Sequence, residues 1–239
     1  MPKDASEAEM TRGRHTRVRD AIFKISPYLD LDLTHVEPDL QGWRSDSYIL
    51  MDAIDRIRPS LILEIGTWKG RSAINMARRC KALGLSTEIV CIDTWLGCKE
   101  HWLNKDDPDH YDSLKIRNGF PGLYWTFLKN VADNEMQGFI TPLPLPSDTA
   151  FHVLSKLNVH ADMIYIDGSH EYESVTRDLT LYWELLSENG LLIGDDYVGW
   201  DGVTRAANDF AKSRKLRITG QHGKFVLSKG VPVKICFPN

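Results

Sequence analysis

The sequence predicts an α/β fold: a mostly parallel seven-stranded sheet with helices on both faces, closed by an antiparallel hairpin. From about residue 60 onward, short apolar runs alternate with stretches of helical periodicity. Most of the runs are nearly continuous in apolar residues, as strands covered on both faces require. The last two are separated only by a short turn, so they pair with each other.

In chain order, "LILEI" (61–65) is a strand, followed by a helix over 70–84 with Ala73, Ala77 and Cys80 on one face. "EIVCID" (88–93) is the second strand. A helix over 121–135 aligns Leu123, Phe127 and Val131, and "GFITPL" (138–143) is a weaker strand. A short helix over 147–157 precedes the strand "MIYID" (163–167). Val175, Leu179, Tyr182 and Leu186 share a face of the next helix, 171–188. The turn Asn189-Gly190 introduces "GLLIGD" (190–195), and a helix over 201–214 follows. "LRITG" and "KFVLS" form the hairpin about Gln221-His222-Gly223. The first 45 residues stand outside this alternation. Helical stretches at 16–29 and 46–57 suggest a cap or arm over 1–45, packed on a domain spanning 46–239.

Hydrophobic residues at 42% and charged residues at 26% are ordinary globular values. The net charge of −4 offers no general attraction to nucleic acid or to an anionic membrane, so neither is an expected partner. The polar first fifteen residues lack the apolar core of a signal peptide, and no apolar run approaches membrane-spanning length. A soluble cytoplasmic protein is expected, with a homo-oligomer left open. Cys80, Cys91, Cys98 and Cys236 form no Cys-x-x-Cys pair and read as reduced thiols.

Ligands of such sheets bind beyond the carboxyl ends of the strands, where the strand order reverses. The first strand runs into Glu64-x-Gly66-x-x-x-Gly70-x-Ser72, a turn in which glycine lets the backbone approach a ligand. On this reading Gly66→Val obstructs that approach and leaves the fold largely intact. The spacing is not Gly-x-Gly-x-x-Gly, which argues against a dinucleotide. Asp93, after the second strand, is placed to accept both hydroxyls of a ribose. With the glycine turn, it points to a nucleoside-containing ligand. Ser147 suits the N-cap of the helix after the third strand. Asp167-Gly168-Ser169-His170 and Gly194-Asp195-Asp196-Tyr197 end two further strands. Adjacent parallel strands lie about 4.8 Å apart, so these carboxylates can converge. Unpaired, they would repel. A divalent cation would relieve this, and hard oxygen ligands suit Mg²⁺, Mn²⁺ or Ca²⁺. The stretch 98–120 is too long for a plain connection and reads as a lid or binding loop, with His101, Trp102, His110 and Tyr111 as candidate walls of an acceptor pocket.

These four strand ends, with Asp93-Thr94-Trp95-Leu96-Gly97 as the second, resemble class I S-adenosylmethionine-dependent methyltransferases of Rossmann-like fold. Within that class they are similar to the metal-dependent, macrocin-type sugar O-methyltransferases. The resemblance covers roughly residues 45–228. It implies that Glu64, Gly66 and Ser72 surround the methionine part of the cofactor, with Thr67, Trp68 and Gly70 in the same turn. It places Asp93 on the ribose, Thr94 and Trp95 beside it, and Ser147 and Asp148 near adenine. Asp167, which also borders the cofactor, would hold Mg²⁺ together with Asp195 and Asp196. His170 matches the residue that acts as base in the macrocin-type branch, where catechol-methylating relatives carry lysine. The implied acceptor is a hydroxyl of a small molecule, such as a sugar on a natural product. Relatives with the same acids are linked to cephalosporin hydroxylation. The remaining alternatives are an NAD-dependent oxidoreductase and a cofactor-binding subunit without catalysis.

Overall fold

In the computed structural model, which describes residues 17–43 and 46–230, the seven strands form one sheet in the order β3-β2-β1-β4-β5-β7-β6. β1 (Leu61–Ile65), β2 (Glu88–Ile92), β3 (Ile140–Leu143), β4 (Ala161–Ile166) and β5 (Leu186–Gly194) run parallel. β6 (Thr219–Gln221) and β7 (Lys224–Ser228) form the hairpin, and β7 lies antiparallel to β5. The predicted fold class is the observed one.

Successive side chains of a strand point to opposite faces, and the two cores follow from that. Ile62, Ile89, Met163 and Leu191 pack on one side against α2 (Tyr48–Ile57), α3 (Arg71–Ala82) and α5 (Leu123–Asp133). Leu63, Val90, Ile164 and Leu192 pack on the other against α6 (Ser147–Lys156), α7 (Tyr172–Leu185) and α8 (Asp201–Ser213). The chain moves outward from β1 to β2 and β3, then returns to β4 on the opposite side of β1. That reversal opens a crevice at the carboxyl ends of β1 and β4.

The N-terminal region is less helical than its periodicity suggests. α1 covers only Val18–Ile22. Its first amides, those of Val18 and Arg19, donate to the Glu88 carboxylate at 2.8 and 3.0 Å. Pro27 opposes helical geometry at the residue before it, so the predicted helix over 16–29 stops short. Residues 1–16 of the predicted arm lie outside the described residues, as does Cys236. Residues 98–120 contain α4 (Lys99–Leu103) and a 3₁₀ turn at Asp112–Leu114. Among the described residues, no helix is long and apolar enough to cross a membrane.

Candidate active site

The turn after β1 is built around a buried acid. Glu64 faces the same side of the sheet as its neighbours Cys91 and Tyr165 and is fully buried. Its carboxylate accepts hydrogen bonds from Ser72 Oγ, from Thr67 Oγ1 at 3.4 Å and from Cys91 Sγ at 3.6 Å. Burial pushes the Glu64 carboxyl up to about 7, with those hydrogen bonds opposing the rise. Glu64 and Ser72 therefore brace the turn from below. Gly66 holds φ +84°, and its N–H donates to Ile92 O at 2.9 Å. A Cβ at Gly66 would lie 2.0 Å from the Asp167 carbonyl oxygen. The glycine thus brings the β1 turn against the β4 turn. Gly70, at φ +86°, precedes α3, and a Cβ there would meet the Phe127 ring at 2.8 Å.

Asp93 ties the β1 and β2 turns together. It accepts from Trp68 N at 2.8 Å and from Trp95 N at 2.7 Å. Burial raises its carboxyl, and the backbone amides oppose that. It keeps some open surface, and a carboxylate has about four acceptor sites, so capacity remains for ribose hydroxyls. Thr94 lies beside it, half-buried. Trp95 belongs to the core instead. It is 1% exposed, packs on Tyr124 and Phe127, and donates to Trp68 O at 2.7 Å. Ser147 is not an N-cap: it is the first residue of α6, and its hydroxyl donates to Asp178 Oδ1 at 2.7 Å. Asp148 accepts from Thr149 N at 2.7 Å.

Sequence reasoning missed the residues that strap the arm over this turn. Lys69 is buried, and its ammonium donates to Asp39 at 2.6 Å, Ser113 at 3.1 Å and Gln41 at 3.2 Å. Asn130 donates to Asp39 O at 2.7 Å and to Lys69 O at 2.8 Å. The strap leads to an aromatic group beside the β1 turn. His101 stacks on Trp68 at 4.3 Å, while Trp43 and His110 close around them. Burial lowers the His101 imidazole to about 4, and His110 adds to that, so His101 stays neutral. Of the other loop candidates, Trp102 donates to Leu96 O and is partly exposed, and Tyr111 packs against the core.

The ends of β4 and β5 carry the second half of the site. His170 Nε2 lies 2.9 Å from Asp196 Oδ2, and its ring stacks on Trp200 at 4.2 Å and 8°. An ionised carboxylate only accepts, so in the neutral imidazole the bond to Asp196 would put the proton on Nε2 and leave the Nδ1 lone pair open. Gly202 was unforeseen. A Cβ there would lie 2.3 Å from His170 O, so α8 presses directly on this turn.

Asp167, Asp195 and Asp196 do not form the expected Mg²⁺ set. Asp195 Oδ1 accepts from Asp196 N at 2.8 Å, while Oδ2 accepts from Tyr165 OH at 2.6 Å and pairs with Lys224 Nζ. Asp196 is turned to His170. Burial, then the Asp195 charge, hold the Asp167 carboxyl well above the usual range. Among the described residues, no three His, Cys, Asp or Glu side chains are placed to hold a metal ion.

The sequence profile of the methyltransferase domain matches residues 63–197, more than half of the chain. The chain belongs to that family. Solved structures share the methyltransferase fold at low identity. An O-methyltransferase from Bacillus cereus in complex with SAH is 16% identical, with a TM-score of 0.55 over 89% of this chain and 95% of that one. TomG from Streptomyces achromogenes, an O-methyltransferase of tomaymycin synthesis solved with SAM, is 15% identical, with a TM-score of 0.52 over 81% and 83%. The calicheamicin methyltransferase CalS11 is 21% identical, with a TM-score of 0.56 over 76% and 77%. A 50-residue stretch is 34% identical to an uncharacterized protein of Acanthamoeba polyphaga mimivirus, spanning 21% of this chain and 23% of that protein.

The buried acid of this methyltransferase domain gives its stability a pH dependence with a definite sign. Glu64 ionises near 4.5 when unfolded but near 7 when folded, so the folded state holds the extra proton. Stability then falls as pH rises from about 4.5 to about 7 and levels off above that. At about 1.4 kcal/mol per pH unit, the loss comes to roughly 3–3.5 kcal/mol. Glu64→Gln should remove this slope. Denaturant midpoints at pH 5 and pH 8 check it, and parallel wild-type and variant profiles would refute it.

Proposed function

We propose that this methyltransferase domain moves a methyl group from S-adenosylmethionine to a hydroxyl of a small molecule. The observation that carries the reading is contact between two turns. The Gly66 turn, held by Asp93, touches the turn after β4 that presents His170, whose carboxylate partner Asp196 comes from the turn after β5. A cofactor held by Asp93, Thr94 and the 66–70 backbone would lie beside a base. The bound cofactor supplies an electrophilic methyl on a sulfonium. This chain's residues orient the acceptor in line and take its proton at His170 Nδ1, a step suited to a histidine side chain. The acceptor oxygen gains the C–O bond, and the C–S electron pair stays on sulfur. The exposed faces of Trp102 and Trp200 suit the apolar side of a sugar or phenol ring, a hydroxylated natural product among them.

Calorimetry with S-adenosylhomocysteine and with NAD tests the cofactor half. The first should bind and the second should not. Asp93→Ala should weaken S-adenosylhomocysteine by about 1.5–3 kcal/mol, the range for hydrogen bonds to a charged group. Tight NAD binding, or an Asp93→Ala variant that binds like the parent, would remove the reading. Labelled-methyl transfer to a panel of sugars and phenols identifies the acceptor and separates an enzyme from a binding subunit.

A further inference from the structure

The register of the C-terminal hairpin sets a lysine against the strand-end acids. β5 and β7 pair antiparallel with Gly194 opposite Phe225, so the next positions, Asp195 and Lys224, face each other. Gly194 makes that closeness possible, because a Cβ there would lie 2.2 Å from the Phe225 ring. Lys224 is fully buried, with Tyr165 and Val226 on the same face of the sheet. Its ammonium pairs with Asp195, donates to Tyr165 OH at 2.9 Å and lies 5.1 Å from the Tyr165 ring centroid. The Tyr165 hydroxyl is in turn 3.1 Å from Asp167 Oδ2. Two carboxylates, one hydroxyl and one ammonium thus form a continuous network. A buried lysine persists only when paired, and a buried carboxylate pair needs a positive charge nearby. Both needs are met within the chain.

We propose that Lys224 supplies the positive charge that organises the strand-end carboxylates, so that this chain holds its acid cluster without a divalent cation. A cation bound by Asp195 would have to share Asp195 Oδ2 with an ammonium already paired to that oxygen. Like charges at one oxygen repel, so ammonium and metal exclude each other. Asp195 then orients rather than ligates: its second oxygen fixes the Asp196 amide, and Asp196 faces His170. The inference concerns the site of the proposed methyl transfer but is tested without turnover, so it can fail while that reading stands.

The test is titration of the full chain with Mn²⁺ alone, read by the EPR signal of free Mn²⁺. Wild type should show no saturable binding. Lys224→Met bares the carboxylates and should bind one Mn²⁺, and adding Asp196→Asn should abolish that binding. Lys224→Arg keeps the charge and should behave as wild type, and Lys224→Gln, which removes the charge but can still donate to Tyr165 OH, should bind one Mn²⁺ even where the methionine variant does not fold. Saturable binding by wild type that Asp167→Asn removes would overturn the proposal. So would a folded Lys224→Met variant as blind to Mn²⁺ as its parent.

Discussion

Replacing Gly66 with valine should leave little folded protein. The added Cβ would lie 2.0 Å from the Asp167 carbonyl oxygen, 2.5 Å from its carbon and 2.7 Å from Gly168 Cα. All three are backbone atoms, so no side chain can swing aside. Both turns are also pinned, with Gly66 N bonded to Ile92 O at 2.9 Å and Asp167 N to Ile65 O at 2.8 Å. The φ of +84° adds its own penalty for any residue with a Cβ. Left-handed strain of about 1–2 kcal/mol and overpacking of about 1–3 kcal/mol or more set the scale. With both terms at their upper ends, because the clash is with backbone, the sum should reach about 4–5 kcal/mol, the extreme range for one substitution. Even Gly66→Ala should show most of it. Gly138→Ala, where a Cβ meets nothing within 4 Å, is the matched control and should stay within about 0.5 kcal/mol. Denaturant midpoints decide the matter, and a Gly66→Ala variant as stable as wild type would refute the account. The expectation that valine spares the fold is thereby corrected: the glycine makes room for the chain's own β4 turn.

That correction shows what a sequence can and cannot place. The parallel strands were legible because burial on both faces writes itself as a continuous apolar run, as in "LILEI" and "EIVCI". Glu64 was visible as a flaw in such a run, and its burial could have been inferred from that alone. Trp95 was misplaced because a residue after a strand can turn inward as readily as toward the crevice. Its φ of +52° and its contacts with Tyr124 and Phe127 turn it inward. Lys69 stood in the quoted turn, but its partners Asp39 and Asn130 lie 30 and 61 residues away in sequence. Lys224 was hidden for the same reason. Only the pairing of β5 with β7 sets it opposite Asp195, and pairing register is a tertiary property. The acids stood out as strand-end residues, whereas the lysine beside them comes from a strand read only as part of a hairpin.

His170→Ala should cut kcat about 10²–10⁴-fold, the range for a lost general base, while leaving S-adenosylhomocysteine binding near the parent value. The separation follows from where the ring sits. It bonds to Asp196 at 2.9 Å and stacks on Trp200, on the β4–β5 side of the crevice, whereas Asp93 and the 66–70 backbone lie on the β1–β2 side. Alanine removes the proton acceptor without creating a core cavity, because a third of the side chain is already exposed. Asp196→Asn should act through the same ring. An amide can donate as well as accept, so Nε2 need no longer carry the proton and the Nδ1 lone pair is no longer secured. Its rate should fall less than that of His170→Ala, and the double variant should be little slower than His170→Ala alone, as residues acting as a unit behave. Trp200→Ala frees the ring to rotate and should lower kcat less than His170→Ala does. An unaltered rate in His170→Ala would return the residue to the role of a polar side chain in a strand-to-helix turn, with the acceptor proton leaving by another path.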